Sequence, residues 1–247
     1  MDHLDNVHIA GIEVSCIVGI HDFERTLEQP LVCDIEVGFE RRPGLFGATL
    51  AESIDYARLE GTVRFVLEHG QFFLLEDAAE ALCATVLAPQ RVRPARCTVR
   101  LNKPRALGGR CIPGVSIARS AAEYHPVLEH NHFGTVDVLH EGPACGVYML
   151  HIPAGGLIPP HVHRTMAEAE LVFGEGLLLN NVPVASGMAH VWPSDFVHAY
   201  MNVHSEETTI LCLNRPRFDP QDEILVTTHL ADLPDTTPFG KRYFGIP

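Results

Sequence analysis

Three histidines and one glutamate in the second half of the chain have the residue types and spacing of a metal site. His161 and His163 are separated by one residue, so on a strand both side chains project from the same face. Glu168 follows five positions after His163, and His198 lies further along. Imidazole nitrogens and a carboxylate oxygen are ligands for divalent ions such as Fe, Mn, Zn or Ni, and the set leaves coordination positions open for water or substrate. The sequence therefore predicts a divalent metal site, with the identity of the metal open.

A different set of chemical residues lies in the first half, each at the end of a predicted element. Glu24 lies in the loop segment GIHDFERTLEQP, Tyr56 begins a helical pattern, Glu76 lies at the start of the next helix, and Lys103 ends a strand. Element ends are where a rigid scaffold presents functional groups. Each residue also has a structural explanation when taken alone, such as a solvated charge or an acid near a helix start. It is their combination that makes them candidates for a functional site.

The elements that would position these residues follow from hydrophobic periodicity. Residues 7–19 and 31–39 predict strands, because apolar residues alternate, as in LVCDIEVGF. The segments YARLEGTVRFVLEH and LEDAAEALCATVLA predict helices, since their apolar residues fall on one helical face. Two further strands are expected around Val99 and Ile117. The order β-β-α-α-β-β predicts an α+β domain over residues 1–120, in which an antiparallel sheet carries two helices on one face.

From about residue 121 the pattern changes. The segment YHPVLEHNHFG is polar and rich in turn-forming residues, so residues 121–133 are predicted to be a linker. Beyond it come short apolar runs separated by Gly, Pro and Asn, as in CGVYMLHIP and ELVFGEGLLLNN. Short strands with frequent turns predict an all-β sandwich or barrel over residues 134–247.

Composition limits the possible partners. The formal net charge of −13 argues against a nucleic-acid partner. The chain has no long apolar segment and no signal-like N-terminus, which argues against a membrane partner. Its seven cysteines are scattered without a C-x-x-C pair, which favours free thiols over disulfides or a thiolate zinc site. We therefore expect a cytoplasmic protein.

Residues 1–120 resemble the dihydroneopterin aldolase family through IVGIHDFERTLEQPLVCDIEV, SIDYARL, FFLLEDAAE and LNKPRAL, in that order. The resemblance implies the tunnelling fold and a homo-oligomeric ring whose active sites lie between adjacent subunits. It also implies a pterin substrate: 7,8-dihydroneopterin would undergo retro-aldol cleavage to 6-hydroxymethyl-7,8-dihydropterin and glycolaldehyde, a step in folate biosynthesis.

The resemblance also assigns residues to roles. The family's functional residues fall, for catalysis, on Lys103, Tyr56 and Glu24 and, for pterin binding, on Glu76, Leu75 and Leu74. A carboxylate can accept two hydrogen bonds from the guanidine-like edge of a pterin. The C6=N5 imine of the substrate can absorb the electrons released by bond cleavage, so no cofactor is needed for this step. The protein must supply a proton acceptor and proton donors within hydrogen-bond reach.

Dihydroneopterin triphosphate epimerases share this fold and much of this pattern, and they are the alternative within the first half. The dipeptide Lys103–Pro104 favours the aldolase. Because a fold alone does not fix a function, both reactions stay open at this point.

About residues 134–220 resemble the cupin superfamily through two motifs. The first, G-x5-H-x-H-x3/4-E-x6-G, matches Gly155, His161, His163 and Glu168, with its closing glycine displaced by one position. Glu170 is therefore a rival to Glu168 as the carboxylate ligand. The second motif, G-x5-P-x-G-x2-H-x3-N, matches Gly187, Pro193, His198 and Asn202, with Asp195 in place of the middle glycine. The resemblance leaves the role of this half open among a second metal-dependent reaction, ligand sensing and assembly.

Overall fold

The computed structural model describes residues 4–40, 53–88 and 94–245. The chain forms two compact units, Met1–Pro126 and Val127–Pro247. Each unit contains its own sheets and its own buried apolar residues. Neither helix within the described ranges is long and apolar enough to cross a membrane.

The first unit is an antiparallel sheet with two helices, in the strand order β1-β2-β3-β4. Its elements are β1 Asp5–Cys16, β2 Gln29–Phe39, α1 Tyr56–Gly70, α2 Leu75–Leu87, β3 Pro94–Asn102 and β4 Gly114–Ser120. Helix α1 packs against β1, and α2 packs against β3 and β4. The α+β class predicted for the first half of the chain is therefore confirmed.

The alternation seen in β2 explains why the helices cover one face of the sheet. Leu31, Cys33, Ile35 and Val37 are all buried, because every second side chain of a strand points to the same side. Helix α1 begins at Tyr56 because the carboxylate of Asp55 accepts hydrogen bonds from the amides of the next turn. The start of α2 has no such side-chain cap. Its first amides therefore remain available as donors.

The second unit is all-β, as predicted, and its strands pair antiparallel in two sheets. A five-stranded sheet has the order β11-β10-β13-β8-β15, and a seven-stranded sheet has the order β16-β12-β9-β14-β7-β6-β5. The strands are β5 Val127–Asn131, β6 Gly134–Glu141, β7 Gly146–Ile152, β8 Leu157–Val162, β9 Ala167–Val172, β10 Leu177–Leu179, β11 Val182–Val184, β12 Met188–Trp192, β13 His198–Asn202, β14 Thr208–Arg215, β15 Ile224–Leu225 and β16 Gly240–Arg242. One core joins the sheets, with Ile158 and Tyr200 from the first packing in the same cluster as Ile152 and Ile210 from the second.

The segment predicted to be a linker contains regular structure. Residues 127–131 form β5, which pairs with β6 across a tight turn at His132 and Phe133. Every residue of β5 is exposed, so its sequence carries no apolar alternation. Its backbone pairing with β6 is a tertiary feature that periodicity does not detect.

Asn202, at the end of β13, is fully buried and ties three segments together. Its Nδ2 atom lies 2.9 Å from the carbonyl oxygen of Ile152, 3.1 Å from that of Pro153 and 2.9 Å from that of Glu206. Its Oδ1 atom accepts a hydrogen bond of 2.8 Å from the amide of His204. The asparagine of the second motif is thus a structural residue that holds the ends of two strands and the following turn.

We predict that Asn202→Ala lowers the free energy of unfolding of the second unit by at least about 2 kcal/mol, since each buried group left without a partner costs about 1–3 kcal/mol. The measurement is denaturant unfolding followed by fluorescence of Trp192, the single tryptophan of the chain. Asn131→Ala is the control, because this exposed side chain accepts a bond from the adjacent His132 amide and from no other described residue. Equal unfolding midpoints for the two variants would contradict the prediction.

Candidate functional site

A buried ion pair between Glu24 and Lys103 forms the centre of the candidate site in the first unit. Glu24 lies in a turn of 3-10 helix, Asp22–Arg25, and Lys103 directly follows β3. The two residues are 8% and 9% exposed, and Lys103 Nζ contacts Glu24 Oε1. Lys103 Nζ also donates to the carbonyl oxygen of Val18 at 3.0 Å. The pair thus joins residues that are far apart in the sequence.

Hydrogen bonds keep the Glu24 carboxylate charged despite its burial. Burial alone acts to raise the pKa of Glu24. The hydrogen bond from Lys103, the bond of 3.1 Å from the His21 amide to Oε2, and the lysine charge outweigh burial, so the pKa of Glu24 lies below its usual value. The carboxylate is therefore an acceptor, and the ammonium group beside it is a preorganised donor.

Gly19 makes room for this carboxylate. A Cβ atom on Gly19 would lie 2.2 Å from Glu24 Oε2, and the backbone has a φ of +135°, which favours glycine. The amide of Gly19 donates to the carbonyl oxygen of Phe72 at 3.1 Å. The loop that carries Glu24 therefore lies beside the loop that leads into α2.

The residues predicted to bind a pterin lie at the start of α2, just after Phe72, whose carbonyl oxygen binds the Gly19 amide. Leu74 is the N-cap residue and is 48% exposed, Leu75 is the first helical residue, and Glu76 is exposed in the first turn. Glu76 makes no hydrogen bond or ion pair to Lys103 or Glu24 within the described residues of one chain. A carboxylate and uncapped amides at a helix start together offer acceptors and donors to a planar ligand.

Tyr56 is not part of the cluster formed by Glu24 and Lys103 within one chain. It is the first residue of α1, and its side chain is 65% exposed. No described residue of the same chain donates a hydrogen bond to its hydroxyl group or accepts one from it. The chain thus presents Tyr56 at its surface.

The four residues of the predicted metal site lie together in the second unit. Their candidate ligand atoms lie within 4.8 Å of one another, and all four side chains are buried. His161 in β8 pairs directly with His198 in β13, and Glu168 lies on β9 of the other sheet. Glu168 Oε2 lies 2.9 Å from His163 Nε2 and 3.0 Å from His198 Nε2.

The orientation of the three imidazole rings suits a metal ligand set. Each Nδ1 atom lies near a backbone carbonyl oxygen: His161 near Pro159 at 2.8 Å, His163 near Asp222 at 3.0 Å and His198 near Phe196 at 3.2 Å. A carbonyl bound at Nδ1 fixes the proton there and leaves Nε2 as the ligand atom. The buried Nε2 atom of His163 makes no hydrogen bond of acceptable geometry, although Glu168 is close. This orphaned nitrogen fits a metal-binding role.

The neighbours of Glu168 and Glu170 favour Glu168 as the carboxylate ligand. Glu168 Oε1 accepts hydrogen bonds from Asn214 at 3.0 Å and from Cys212 at 3.3 Å, which leaves Oε2 toward the histidines. Glu170 instead accepts a bond of 2.6 Å from the indole of Trp192. Burial, followed by the charge of Glu168, raises the pKa of Glu170 to about 7. Burial also acts to raise the pKa of Glu168, but the hydrogen bonds and charges of His163 and His198 outweigh it and hold this pKa well below the usual value.

Asp222 supports the cluster of three histidines and Glu168 and carries no recognisable signal in the sequence. Its carboxylate accepts hydrogen bonds of 2.8 to 3.2 Å from the amides of Arg164, Thr165 and Met166, the loop between His163 and β9. Its own carbonyl oxygen is the partner of His163 Nδ1. Asp222 lies in an irregular stretch of the chain, so only the tertiary structure reveals this role.

Comparisons with known proteins match the first half of the chain. The family of dihydroneopterin aldolases, FolB, matches residues 7–118. Dihydroneopterin aldolase of Escherichia coli strain K12 is 33% identical over 116 residues, which cover 47% of this chain and 93% of that protein. The Haemophilus influenzae dihydroneopterin aldolase is 25% identical over 116 residues, which cover 47% of this chain and 97% of that protein. The match to the crystal structure of the E. coli enzyme in complex with neopterin covers 47% of this chain and 99% of the E. coli chain, with 33% identity and a TM-score of 0.43.

We predict that Glu24→Gln destabilises the first unit by about 1–3 kcal/mol at neutral pH, since it leaves the buried Lys103 charge without its partner. The pKa of Glu24 is lower in the folded chain than its usual value. The stabilisation is therefore fully present above the usual glutamate pKa and is lost as the pH falls through the lowered value. The difference between the native protein and the variant should shrink in acid.

The measurement is denaturant unfolding of both proteins over a series of pH values. Glu36→Gln, an exposed position in β2 of the same sheet, controls for the change of residue type. A stability difference that stays constant from neutral pH into strong acid would rule out the ion pair as its source.

Proposed function

The chain belongs to the dihydroneopterin aldolase family of carbon–carbon lyases, and from this premise we propose that it cleaves 7,8-dihydroneopterin. The products would be 6-hydroxymethyl-7,8-dihydropterin and glycolaldehyde, as in folate biosynthesis. The observation that carries the proposal is the buried pair of Lys103 and Glu24, which lies within the matched residues 7–118. This aldolase domain corresponds to residues 1–120.

In this proposal the Lys103 amine and a water molecule bound to it move the protons: the 2′-hydroxyl group gives up its proton to the water as the C1′–C2′ bond breaks, and C1′ gains a proton. An ammonium group has three N–H donors, and two of them are used by Glu24 and the Val18 carbonyl. One donor remains for a substrate hydroxyl group or a water molecule. Because Glu24 and the carbonyl fix the amine, it needs little reorganisation when charge develops on the substrate. Glu24 thus orients the lysine, and the substrate's own imine accepts the electrons of the broken bond.

The start of α2 would hold the pterin ring. The exposed Glu76 carboxylate can accept two hydrogen bonds from the amino and ring N–H groups of a pterin. The uncapped backbone around Leu74 and Leu75 can bind the acceptor atoms of the ring. Ring binding would thus take place at the start of α2, and proton transfer at Lys103.

We further propose that Tyr56 completes the site of a neighbouring subunit. Its high exposure supports this role, because a catalytic tyrosine that has no partner among the described residues of its own chain can find one in a neighbouring subunit. Phe23, next to Glu24, is 64% exposed, which also supports a contact with another subunit. The protein would therefore be a homo-oligomer with shared active sites.

The second unit contains, in this proposal, a cupin domain over residues 134–247 that would bind a divalent metal ion. The ligands would be His161, His163, Glu168 and His198, a set that suits Fe, Mn, Zn or Ni. A divalent ion held by these residues would supply Lewis acidity. The burial of these ligands and their orientation by backbone carbonyls support metal binding, and a second, metal-dependent reaction is the alternative function of this unit.

We predict that Lys103→Ala lowers glycolaldehyde release from 7,8-dihydroneopterin by about 100- to 10,000-fold, the usual contribution of an acid–base group. Lys241→Ala, in the second unit, is the matched control and should keep the native rate. Chelation of metal should leave the rate of the native protein unchanged. Full activity of the Lys103 variant would exclude the role of this lysine, and conversion to the 2′-epimer without glycolaldehyde would identify an epimerase instead.

We also predict that His163→Ala lowers the bound metal content, because it removes one of four ligands. Metal is measured by mass spectrometry of the purified protein after dialysis, and affinity by calorimetric titration. His204→Ala is the control, since this residue is exposed and lies outside the cluster. Equal metal content in the native protein and both variants would disprove a metal site at His163.

A further inference from the structure

Arg25 connects the two halves of the proposed aldolase site. Its Nη1 atom donates to the carbonyl oxygens of Gly19 and Phe72, each at 3.2 Å. Its guanidinium carbon lies 4.4 Å above the ring centroid of Phe73, in a cation–π contact. One side chain therefore binds the loop that carries Glu24 and, at the same time, the loop that leads into α2.

The residues that Arg25 contacts are adjacent in sequence to the functional residues of the proposed site. Arg25 directly follows Glu24, and Phe72 and Phe73 directly precede Leu74, the first of the proposed pterin-binding residues. Phe72 is buried, so its carbonyl is fixed to the core of the unit. A displacement of the Arg25 contacts would therefore be transmitted over only one or two residues both to Glu24 and to the start of α2.

The chemistry of arginine suits this position better than that of lysine. A guanidinium group is planar and has five donors in a fixed fork, so it can meet two carbonyl oxygens while it stacks on an aromatic ring. A lysine ammonium is a compact point charge on a flexible stem and lacks this geometry. The contacts at Arg25 use the two N–H groups of Nη1 and the planar face of the guanidinium together.

We propose that Arg25 is a positioning residue that sets the distance between the pair formed by Lys103 and Glu24 and the pterin-binding start of α2. This inference rests on the proposed aldolase function. Each half of the site has its own anchors: Lys103 is held by the Val18 carbonyl, and Glu24 is held by the His21 amide. Loss of Arg25 would therefore leave both halves formed and still joined by the bond from the Gly19 amide to the Phe72 carbonyl, but without the side-chain contacts that set their distance.

A change in the distance between the two halves of the site would affect the kinetics differently from unfolding. A shift of about 1 Å between a bound substrate and a catalytic group can cost about 100-fold in rate. Ring binding at the start of α2 would persist, because its groups are not bonded to the Arg25 side chain. We therefore expect kcat to fall while affinity for the pterin ring is kept.

The experiment compares Arg25→Ala and Arg25→Lys with the native protein. It measures kcat for glycolaldehyde release from 7,8-dihydroneopterin and the Kd of neopterin, which reports ring binding without cleavage. For both variants kcat should fall about 10- to 100-fold, whereas the Kd of neopterin should stay within about threefold of the native value. The lysine variant tests whether the charge alone is enough.

Arg64→Ala is the matched control. Arg64 pairs with Glu60 on α1 and donates to the carbonyl oxygen of Glu13 at 2.7 Å, so it also joins two segments of the unit but lies outside the proposed site. This variant should keep the native kcat.

Three results would overturn the inference. The first is a kcat for Arg25→Ala within about twofold of the native value, and the second is a parallel loss of kcat and neopterin affinity. The third is an equal loss of kcat in the Arg64 variant. A native protein that releases no glycolaldehyde would overturn the proposed function itself, and this inference with it.

Discussion

The burial of a lysine charge is the constraint on which the first unit depends. An ammonium group removed from water is costly unless a carboxylate and further hydrogen bonds compensate it. Glu24 and the Val18 carbonyl supply that compensation at Lys103. The glycine at position 19 follows from the same constraint, because a larger residue would occupy the space of the carboxylate. A charge compensated in this way is also held ready for chemistry.

The second unit meets a related constraint by different means. Glu168 is buried, and its two oxygens are divided between the histidines and the amide of Asn214. The imidazole rings are turned by carbonyls of the surrounding backbone, including that of Asp222. The cluster draws on both sheets of the unit, so its geometry depends on how the sheets pack. In both units a buried charge is stable because residues distant in sequence converge on it.

Two candidate residues of the first unit are exposed at the starts of its helices. Tyr56 and Glu76 lie at the starts of the two helices, where the chain presents them to solvent. The ion pair at Lys103 is fully formed without them. The described residues of one chain thus form the acid–base pair and leave these two surface groups without a partner among them, which agrees with the proposal that neighbouring subunits share the site.

The sequence by itself determined the fold class of both halves, because apolar alternation in β2 and helical periodicity in α1 report directly which face is buried. It also grouped His161 with His163, since strand geometry puts both side chains on one face. Only the tertiary structure distinguishes the surroundings of Glu168 from those of Glu170. The two lie on the same face of one strand, so no local pattern distinguishes them. Their neighbours from other strands, an asparagine for one and a tryptophan for the other, make the difference.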